Sequence, residues 1–307
     1  MSARITVPDS AALAEAAERL RTGELVAFPT ETVYGLGANA LDGDAVAKIY
    51  AAKGRPATNP IIVHVASVEQ AKALVKTWPA IADELAAKHW PGPLTLVLEK
   101  ADHIPDIVTA GGATVGIRIP NHPVALELLR QAGVPVAAPS ANRSEEVSPT
   151  QAHHVADSLG EFVDDLLILD GGPCDVGIES TVLDVTCDPP RVLRPGMCLP
   201  PLAPLATPSG FAKGDIARSP GQMLRHYAPK KPTILVRADD NKFSMHKSDA
   251  LLVLPDDPNN AATVLYAELR RLDGDEHVGR IVIVEPPDGP EWDAIWDRLR
   301  RAASPAD

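Results

Sequence analysis

The sequence predicts an α/β protein with two domains joined by a proline-rich linker. Short apolar runs that suit buried strands alternate with segments whose apolar residues recur at helical spacing. A chain of 307 residues is longer than one hydrophobic core usually serves. Both patterns stop between residues 199 and 229, where five prolines lie between Pro200 and Pro220. We therefore assign a first domain to 1–205, a linker to 206–231 and a small second α/β domain to 232–307.

The secondary-structure elements follow from caps, breakers and apolar spacing. Asp9 or Ser10 can cap a first helix that runs to about Arg21. The apolar run Leu25–Phe28 indicates a buried strand that Pro29 ends. The same signals predict further helices at 44–52, 67–76, 80 to about 90, 123–131 and from 148, and strands at 61–65, 94–98, 115–120, 134–139 and 166–169. In the second domain they predict strands at 233–236, 251–254 and 281–284 and helices at 261–272 and 291–303.

Composition and charge narrow the classes of function. Hydrophobic residues make up 45% of the chain and aromatic residues 4%, so stacking platforms for single-stranded nucleic acid are scarce. A net charge of -12 disfavours general binding to nucleic acids or membrane surfaces. The three cysteines are far apart, which predicts neither a disulfide framework nor a metal site. Because the sequence shows no signal pattern and no apolar run of about 20 residues, we predict a cytoplasmic protein.

Polar residues gather where two buried strands end. Pro29–Gly37 places two threonines, a glutamate and a tyrosine on a predicted turn bounded by Gly35 and Gly37. The strand before Pro139 is likewise followed by hydroxyl, amide and basic side chains in 140–144. Strand ends are where α/β proteins usually bind ligands. The alternative is that these hydroxyls only cap backbone groups of the turns.

Several basic residues lie at positions where a bound anion would account for their positive charge. Lys53 and Arg55 flank the predicted helix end at Gly54, so we expect both on an exposed turn that binds an oxyanion. The alternative, pairing with the helix dipole, is worth only about 0.3–1 kcal/mol. Arg118 interrupts an apolar strand and therefore needs a carboxylate or phosphate near it. Ser148 is predicted to cap a helix, which leaves an N-terminus that can face phosphate.

The inventory of polar residues favours binding of anions over acid–base hydrolysis. Cations and neutral hydroxyls occur without paired acids, a set that suits a polyphosphate bound together with a carboxylate. The phosphate-binding, dinucleotide, nucleophile-elbow and zinc motifs are absent from the sequence. His64 stands alone in a predicted strand, where a structural histidine is more usual than a catalytic one.

Four stretches together resemble the threonylcarbamoyl-AMP synthases of the YrdC-like family. They are Pro29–Gly37, the Lys53-x-Arg55 pair, the Ser140-x-Asn142 pair and Ser219–Pro229, in matching order over about residues 10–230. The terminal segment Trp292–Ala303 is similar to the end of the long, two-domain form. The resemblance implies an open, twisted mixed sheet around a large concave cavity, with a small C-terminal α/β domain.

The resemblance also implies a reaction, that of a nucleotidyltransferase. L-threonine, bicarbonate and ATP give threonylcarbamoyl-AMP and pyrophosphate, the first step of threonylcarbamoyladenosine modification of tRNA. A separate transferase then carries the group to tRNA, so direct tRNA binding is not expected. Magnesium is expected to enter on the ATP phosphates, and no metal held by the protein alone is expected.

By position, the resemblance assigns roles to individual residues. Lys53 and Arg55 are the catalytic candidates at the reacting phosphorus. The residues expected to hold ATP are Arg55, Asn59, Thr114, Ser140, Asn142, Ser148, Arg194 and Tyr227. The residues expected to hold threonine are Thr32, His64, Arg118, the Ala138 backbone and Ser180.

Alternatives remain open for the function and for the linker. An RNA-binding module of the same fold would use a positive concave face, which the acidic composition disfavours. A carbamoyl-phosphate-using maturation enzyme shares the fold, but no acylphosphatase-like or zinc-finger segment accompanies it here. We expect Arg225, His226 and Tyr227 to fold over the nucleotide as a lid; alternatively, Tyr227 anchors the linker to the second domain. If the lid suffices, a chain ending near Lys231 keeps its activity.

Overall fold

The structure, a computed structural model, describes residues 3–200, 227–239 and 243–304. The α-helices are α1 Ser10–Arg21, α2 Gly43–Lys53, α3 Val68–Ala73, α4 Ala80–His89, α5 Pro123–Ala132, α6 Ala152–Leu159, α7 Pro258–Gly274 and α8 Asp293–Ala302. The strands are β1 Arg4–Thr6, β2 Val26–Phe28, β3 Gly35–Asn39, β4 Val63–His64, β5 Leu94–Glu99, β6 Thr114–Arg118, β7 Val136–Ala137, β8 Leu167–Leu169, β9 Thr181–Asp184, β10 Arg191–Arg194, β11 Thr233–Val236, β12 Asp249–Leu252 and β13 Arg280–Val284. Short 3-10 helices cover Asp106–Thr109 and Pro290–Trp292.

The first domain is built on one mixed sheet, which confirms the predicted fold class. Its ten strands run in the order β1-β8-β2-β3-β7-β4-β6-β5-β9-β10. Pairs such as β4–β6 and β5–β9 are parallel, whereas β2–β3 and β5–β6 are antiparallel. Side chains alternate between two buried faces, as strand geometry requires. Phe28 packs with Leu20 of α1 and Leu128 of α5, while its neighbour Ala27 packs with Ile49 of α2.

Several local predictions are confirmed by the hydrogen bonds at helix ends. The Asp9 carboxylate caps α1 by accepting from the Ala12 amide at 2.8 Å. Gly54 ends α2 in the left-handed conformation, with φ of 61°. Because glycine adopts this conformation without a Cβ clash, the chain turns sharply there, between Lys53 and Arg55. This turn decides where the two basic side chains go.

The predicted turn at residues 29–37 is wrong in its second half. Gly35 and Gly37 belong to β3, which pairs antiparallel with β2. Glycine is needed at position 37 for packing, because an added Cβ would lie 2.8 Å from Cε1 of Phe28 and 2.9 Å from Cγ1 of Val136. The polar residues before Gly35 are therefore held in the connection of a tight β-hairpin.

The predicted cap at Ser148 is also wrong. Helix α6 begins at Ala152, and its N-cap Gln151 makes no side-chain capping bond. The Ser148 hydroxyl instead donates to Oε1 of Glu179 at 2.6 Å. A tertiary hydrogen bond to a buried carboxylate has replaced the local one that the sequence pattern favours.

The second domain forms a three-stranded sheet in the order β11-β13-β12, parallel throughout, with α7 and α8 packed on it. Its core is not closed off from the first domain. Val33, Val147 and Ile178 of the first domain lie in the same buried cluster as Leu265 and Ile295 of α7 and α8. The two domains therefore share a hydrophobic core.

Much of the predicted linker lies outside the described residues. Positions 201–226, which include Arg225 and His226, are among those that the structure does not describe. The described part of the predicted linker is residues 227–231, and Tyr227 is buried. Within the described ranges, no helix combines the length and apolar composition that crossing a bilayer requires.

Candidate active site

A cavity opens where several strands of the large sheet begin or end. It is lined by Thr30, Thr32, Val33, Gly35, Arg55, Ile62, His64, Arg118, Ala138, Pro139, Ser140, Glu179, Ser180, Arg194 and Tyr227. Most of the residues that the sequence nominated are thus brought to one place from distant parts of the chain.

One wall of the cavity is organised by Arg118 at the end of β6. Its Nη1 donates to Oγ1 of Thr32 at 2.9 Å, and its Nε donates to the Gly92 carbonyl at 3.1 Å. Its Nη2 lies 2.7 Å from Oε2 of Glu31, and both side chains are buried. The anionic partner that a buried arginine was predicted to need is therefore Glu31. These contacts fix the guanidinium at the cavity wall.

His64 lies on the same wall, at the end of β4. Burial, together with the charge of Arg118, lowers the pKa of His64 to about 3. The imidazole is therefore neutral near pH 7, and it cannot serve there as a second cation. Its Nδ1 is buried without a hydrogen-bond partner among the described residues. A neutral ring with a spare polar atom suits a hydroxyl or amine better than a carboxylate.

A second part of the cavity wall is organised by Arg194 at the end of β10. Its Nε and Nη2 donate to the Ser180 carbonyl at 3.1 and 2.9 Å, and Nη2 also reaches Oγ of Ser180 at 3.2 Å. Its Nη1 donates to the hydroxyl of Tyr227 at 3.3 Å. Arg194 thus joins the segment before β9 to the residue that follows the undescribed stretch.

The prediction that Lys53 and Arg55 occupy an exposed turn is wrong. Lys53 is 2% exposed and Arg55 is 8% exposed. The Lys53 ammonium donates to the carbonyl of Ser140 at 2.5 Å and to the carbonyl of Asn142. Arg55 donates from Nε to the Asn59 carbonyl at 3.0 Å and from Nη2 to the Pro60 carbonyl at 2.6 Å. The turn at Gly54 directs both side chains inward.

Only one of these two cations faces the cavity. Arg55 lines it, whereas Lys53 lies behind the loop that carries Ser140. Burial, reinforced by the charge of Arg55, lowers the pKa of Lys53 well below its ordinary value. Burial also lowers the pKa of Arg55, to about 10. When charged, each of these buried side chains needs an anion or fixed carbonyl dipoles beside it to stabilise the charge.

Besides Lys53, four of the nominated residues do not line this cavity: Asn59, Thr114, Asn142 and Ser148. Asn142 donates from Nδ2 to the carbonyls of Arg143 and Glu146, at 2.7 and 2.8 Å. Thr114 begins β6, so it stands about 13 Å from Arg118 at the other end of that strand. Asn59 is buried behind Arg55, and Ser148 reaches the cavity only through Glu179.

Family models match both domains. One described as "Telomere recombination" (Sua5/YciO/YrdC) matches residues 18–196, and one described as "Threonylcarbamoyl-AMP synthase, C-terminal domain" matches residues 201–304. The chain belongs to the threonylcarbamoyl-AMP synthase family. It has the long, two-domain form that the sequence resembled.

Named relatives support this assignment. The threonylcarbamoyl-AMP synthase of Pyrococcus abyssi is 49% identical over 236 residues, which cover 74% of this chain and 68% of that protein. That of Schizosaccharomyces pombe is 36% identical over 374 aligned residues, covering 98% of this chain and 91% of that protein. The crystal structure of P. abyssi Sua5 complexed with L-threonine superposes with a TM-score of 0.87 at 39% identity, covering 95% of this chain and 94% of that one.

Sequence reasoning gave no role to two acids at or beside the cavity. Glu31 pairs with Arg118, and Glu179 lines the cavity and is held by an arginine of α8. The inventory of cations and hydroxyls without paired acids was therefore wrong. The available signal was that each acid stands inside a buried, hydroxyl-rich stretch next to a strand, where an unpaired carboxylate would be costly.

The buried position of Lys53 generates a prediction about stability. Lys53→Ala should lower the free energy of unfolding by about 1–3 kcal/mol, because two buried carbonyls lose their donor. Urea unfolding would measure the change. Lys76→Ala, at a lysine whose side chain is 52% exposed, is the matched control and should change stability by less than about 0.5 kcal/mol. A Lys53→Ala variant as stable as its parent would contradict this placement.

Proposed function

We propose that this chain is an L-threonylcarbamoyladenylate synthase, which converts L-threonine, bicarbonate and ATP into threonylcarbamoyl-AMP and pyrophosphate. The observation that carries the proposal is the cavity itself. In a member of this family, it places one buried arginine on each of two walls, with a third, Arg55, also at its surface. The product would pass to a separate transferase that modifies tRNA.

The wall around Arg118 is the proposed threonine site. Arg118 can pair with the amino acid's carboxylate while Glu31 and Thr32 hold its orientation. Neutral His64 offers a hydrogen bond to the hydroxyl or amine without competing for the carboxylate. Ile62 and the Ala138 segment line the same cavity and supply an apolar niche for the threonine methyl group.

The wall around Arg194 is the proposed nucleotide site. Arg55, Ser140 and Arg194 present two guanidinium groups and a hydroxyl, which suit phosphate oxygens. Tyr227 lines the cavity and its hydroxyl meets Arg194, so it can contact ATP as the lid hypothesis requires. Its ring also lies 5.8 Å from that of Tyr266 in the second domain, as the anchoring alternative requires. The two roles are compatible in one residue.

The chemistry requires no nucleophile from the protein. The threonine amine and bicarbonate combine with loss of water to a carbamate, whose oxygen attacks the α-phosphorus of ATP. The bond from the α-phosphorus to the bridging oxygen then breaks, and pyrophosphate leaves with that electron pair. The protein must align two anions and neutralise charge at the transferring phosphorus. We propose Arg55 for that charge, and Lys53 for holding the Ser140–Asn142 loop through its carbonyls.

Magnesium is proposed to arrive on the phosphates of ATP. The carboxylates nearest the cavity, Glu31 and Glu179, are each paired with a buried arginine, so phosphate oxygens and water are the ligands that fit. Bound there, the ion would neutralise part of the phosphate charge. The described residues contain no group of three or more histidines, cysteines or acids placed to hold a metal.

The reaction is tested by omitting substrates. Pyrophosphate should form only when ATP, L-threonine and bicarbonate are all present, because the attacking group is assembled from the last two. Coupled detection of pyrophosphate, with each component left out in turn, measures this. Equal release without threonine would overturn the assignment, as would strong, salt-dependent tRNA binding by a chain that forms no pyrophosphate.

The threonine site predicts a selective effect of Arg118→Lys. The variant keeps the charge opposite Glu31 but loses the planar, forked geometry, so the KM for threonine should rise about 10-fold while that for ATP holds. Steady-state kinetics with each substrate varied gives both values. Arg130→Lys, at an arginine whose side chain is 58% exposed, is the control and should change neither. An unchanged threonine KM in Arg118→Lys would count against the pairing.

A further inference from the structure

A buried carboxylate joins the cavity to the second domain. Oε1 of Glu179 accepts from Oγ of Ser148 at 2.6 Å. Oε2 of Glu179 accepts from the hydroxyl of Tyr266 at 2.9 Å and from Nε of Arg298 at 2.9 Å. Tyr266 belongs to α7 and Arg298 to α8, whereas Glu179 lines the cavity of the first domain. All four side chains are buried.

Arg298 also bonds to backbone carbonyls next to Ser180 and Arg194 in the chain. Its Nη2 donates to the Glu179 carbonyl at 3.3 Å, and its Nη1 donates to the Pro195 carbonyl at 2.9 Å. Glu179 precedes Ser180, and Pro195 follows Arg194. One guanidinium therefore ties together the two chain segments whose side chains form the wall around Arg194.

The same arginine supports Tyr227, a buried aromatic residue that lines the cavity. The guanidinium carbon of Arg298 lies 5.4 Å from the ring centroid of Tyr227. Tyr227 adopts a left-handed backbone conformation, with φ of 60°, which is costly for a residue with a side chain. The contacts with Arg298, Tyr266 and Arg194 hold Tyr227 in that conformation.

We propose that Arg298 and Tyr266 are positioning residues for the nucleotide side of the cavity, acting through Glu179 and Arg194. The inference rests on the proposed function, because it assigns ATP to the wall around Arg194. The second domain thus stabilises the wall around Arg194 through Tyr266 and Arg298. Removing that domain would remove the hydrogen bonds that these two residues donate. This argues against the expectation that a chain ending near Lys231 keeps its activity.

The charges in the cluster explain why its members must act together. Although burial opposes it, Arg298 and then Arg194 hold the pKa of Glu179 below its ordinary value. Glu179 is therefore a carboxylate whose charge is balanced by an arginine from each domain. Removing Arg298 would leave a buried charge without its main partner, and the segment would move to find another. Conservative variants that keep the charge are accordingly the better test.

The competing explanation is that the cluster only stabilises the domain interface. Such a role would lower the stability of the whole protein and affect both substrates alike. A positioning role would weaken nucleotide binding more than threonine binding, because Arg118 is held by Thr32, Glu31 and the Gly92 carbonyl, all in the first domain. The ratio of the two effects separates the explanations.

The test measures binding at equilibrium. Calorimetry with α,β-methylene-ATP and, separately, with L-threonine is applied to the full chain and to Tyr266→Phe and Arg298→Lys. Tyr266→Phe removes only the hydroxyl that reaches Glu179, and Arg298→Lys keeps the charge but cannot bridge Glu179 and Pro195. Arg280→Lys is the matched control, because Arg280 forms a similar pair with Asp249 in the second domain, away from the cavity.

The Kd for the nucleotide analogue should rise about 3- to 30-fold in Tyr266→Phe and Arg298→Lys, with the larger effect in Arg298→Lys. The Kd for threonine should rise by a smaller factor, and Arg280→Lys should change neither. Equal weakening of both ligands, or unchanged nucleotide binding, would overturn the proposal. Because binding is read without turnover, a parent chain that binds both ligands but forms no pyrophosphate would refute the proposed function while these comparisons still decide the role of Arg298.

Discussion

Buried arginines that must be neutralised hold this active site together. A guanidinium inside a protein is tolerated only when acceptors surround it, and each acceptor then fixes the segment that carries it. Arg118 gathers Glu31, Thr32 and the Gly92 carbonyl on one wall. On the other wall, Arg194 gathers Ser180 and Tyr227. In the proposed reaction these two walls, each fixed in advance, would receive a carboxylate and a polyphosphate without rearranging.

In the proposed reaction the protein binds and orients its substrates and forms no covalent bond with them. Two anionic substrates repel each other in water, and fixed positive charge at the cavity would offset that repulsion. His64 stays neutral in this setting, so its polar atoms are available for hydrogen bonds and not as a charge. The acids that the site contains are already paired and stabilise its arginines.

Local chemistry in the sequence predicted much of the fold, and the family resemblance nominated most of the residues that line the cavity. The helix cap at Asp9 and the helix end at Gly54 each depend on a few neighbouring residues, so the sequence predicted both correctly. Errors arose where distant contacts override local pattern. The sequence around Ser148 has the pattern of a helix cap, yet the Ser148 hydroxyl donates its hydrogen bond to Glu179, which lies 31 residues away in the chain. The Lys53 side chain points inward because the Ser140 and Asn142 carbonyls accept its hydrogen bonds. The contacts of Glu179 depend on a domain that begins more than 50 residues later. Sequence spacing reveals neither of these distant contacts.

The steric course at the α-phosphorus of ATP distinguishes direct attack by the carbamate from transfer through a protein nucleophile. The substrates are ¹⁸O-labelled bicarbonate, L-threonine and ATP that carries sulfur of one defined configuration on its α-phosphorus. Cleavage of the product at its carbonyl carbon with hydroxylamine then gives thio-AMP with one ¹⁸O, whose configuration is determined by stereospecific phosphorylation and ³¹P NMR. A single displacement by the carbamate predicts inversion at that phosphorus, whereas retention would show an adenylyl-protein intermediate and contradict a protein that only binds and orients.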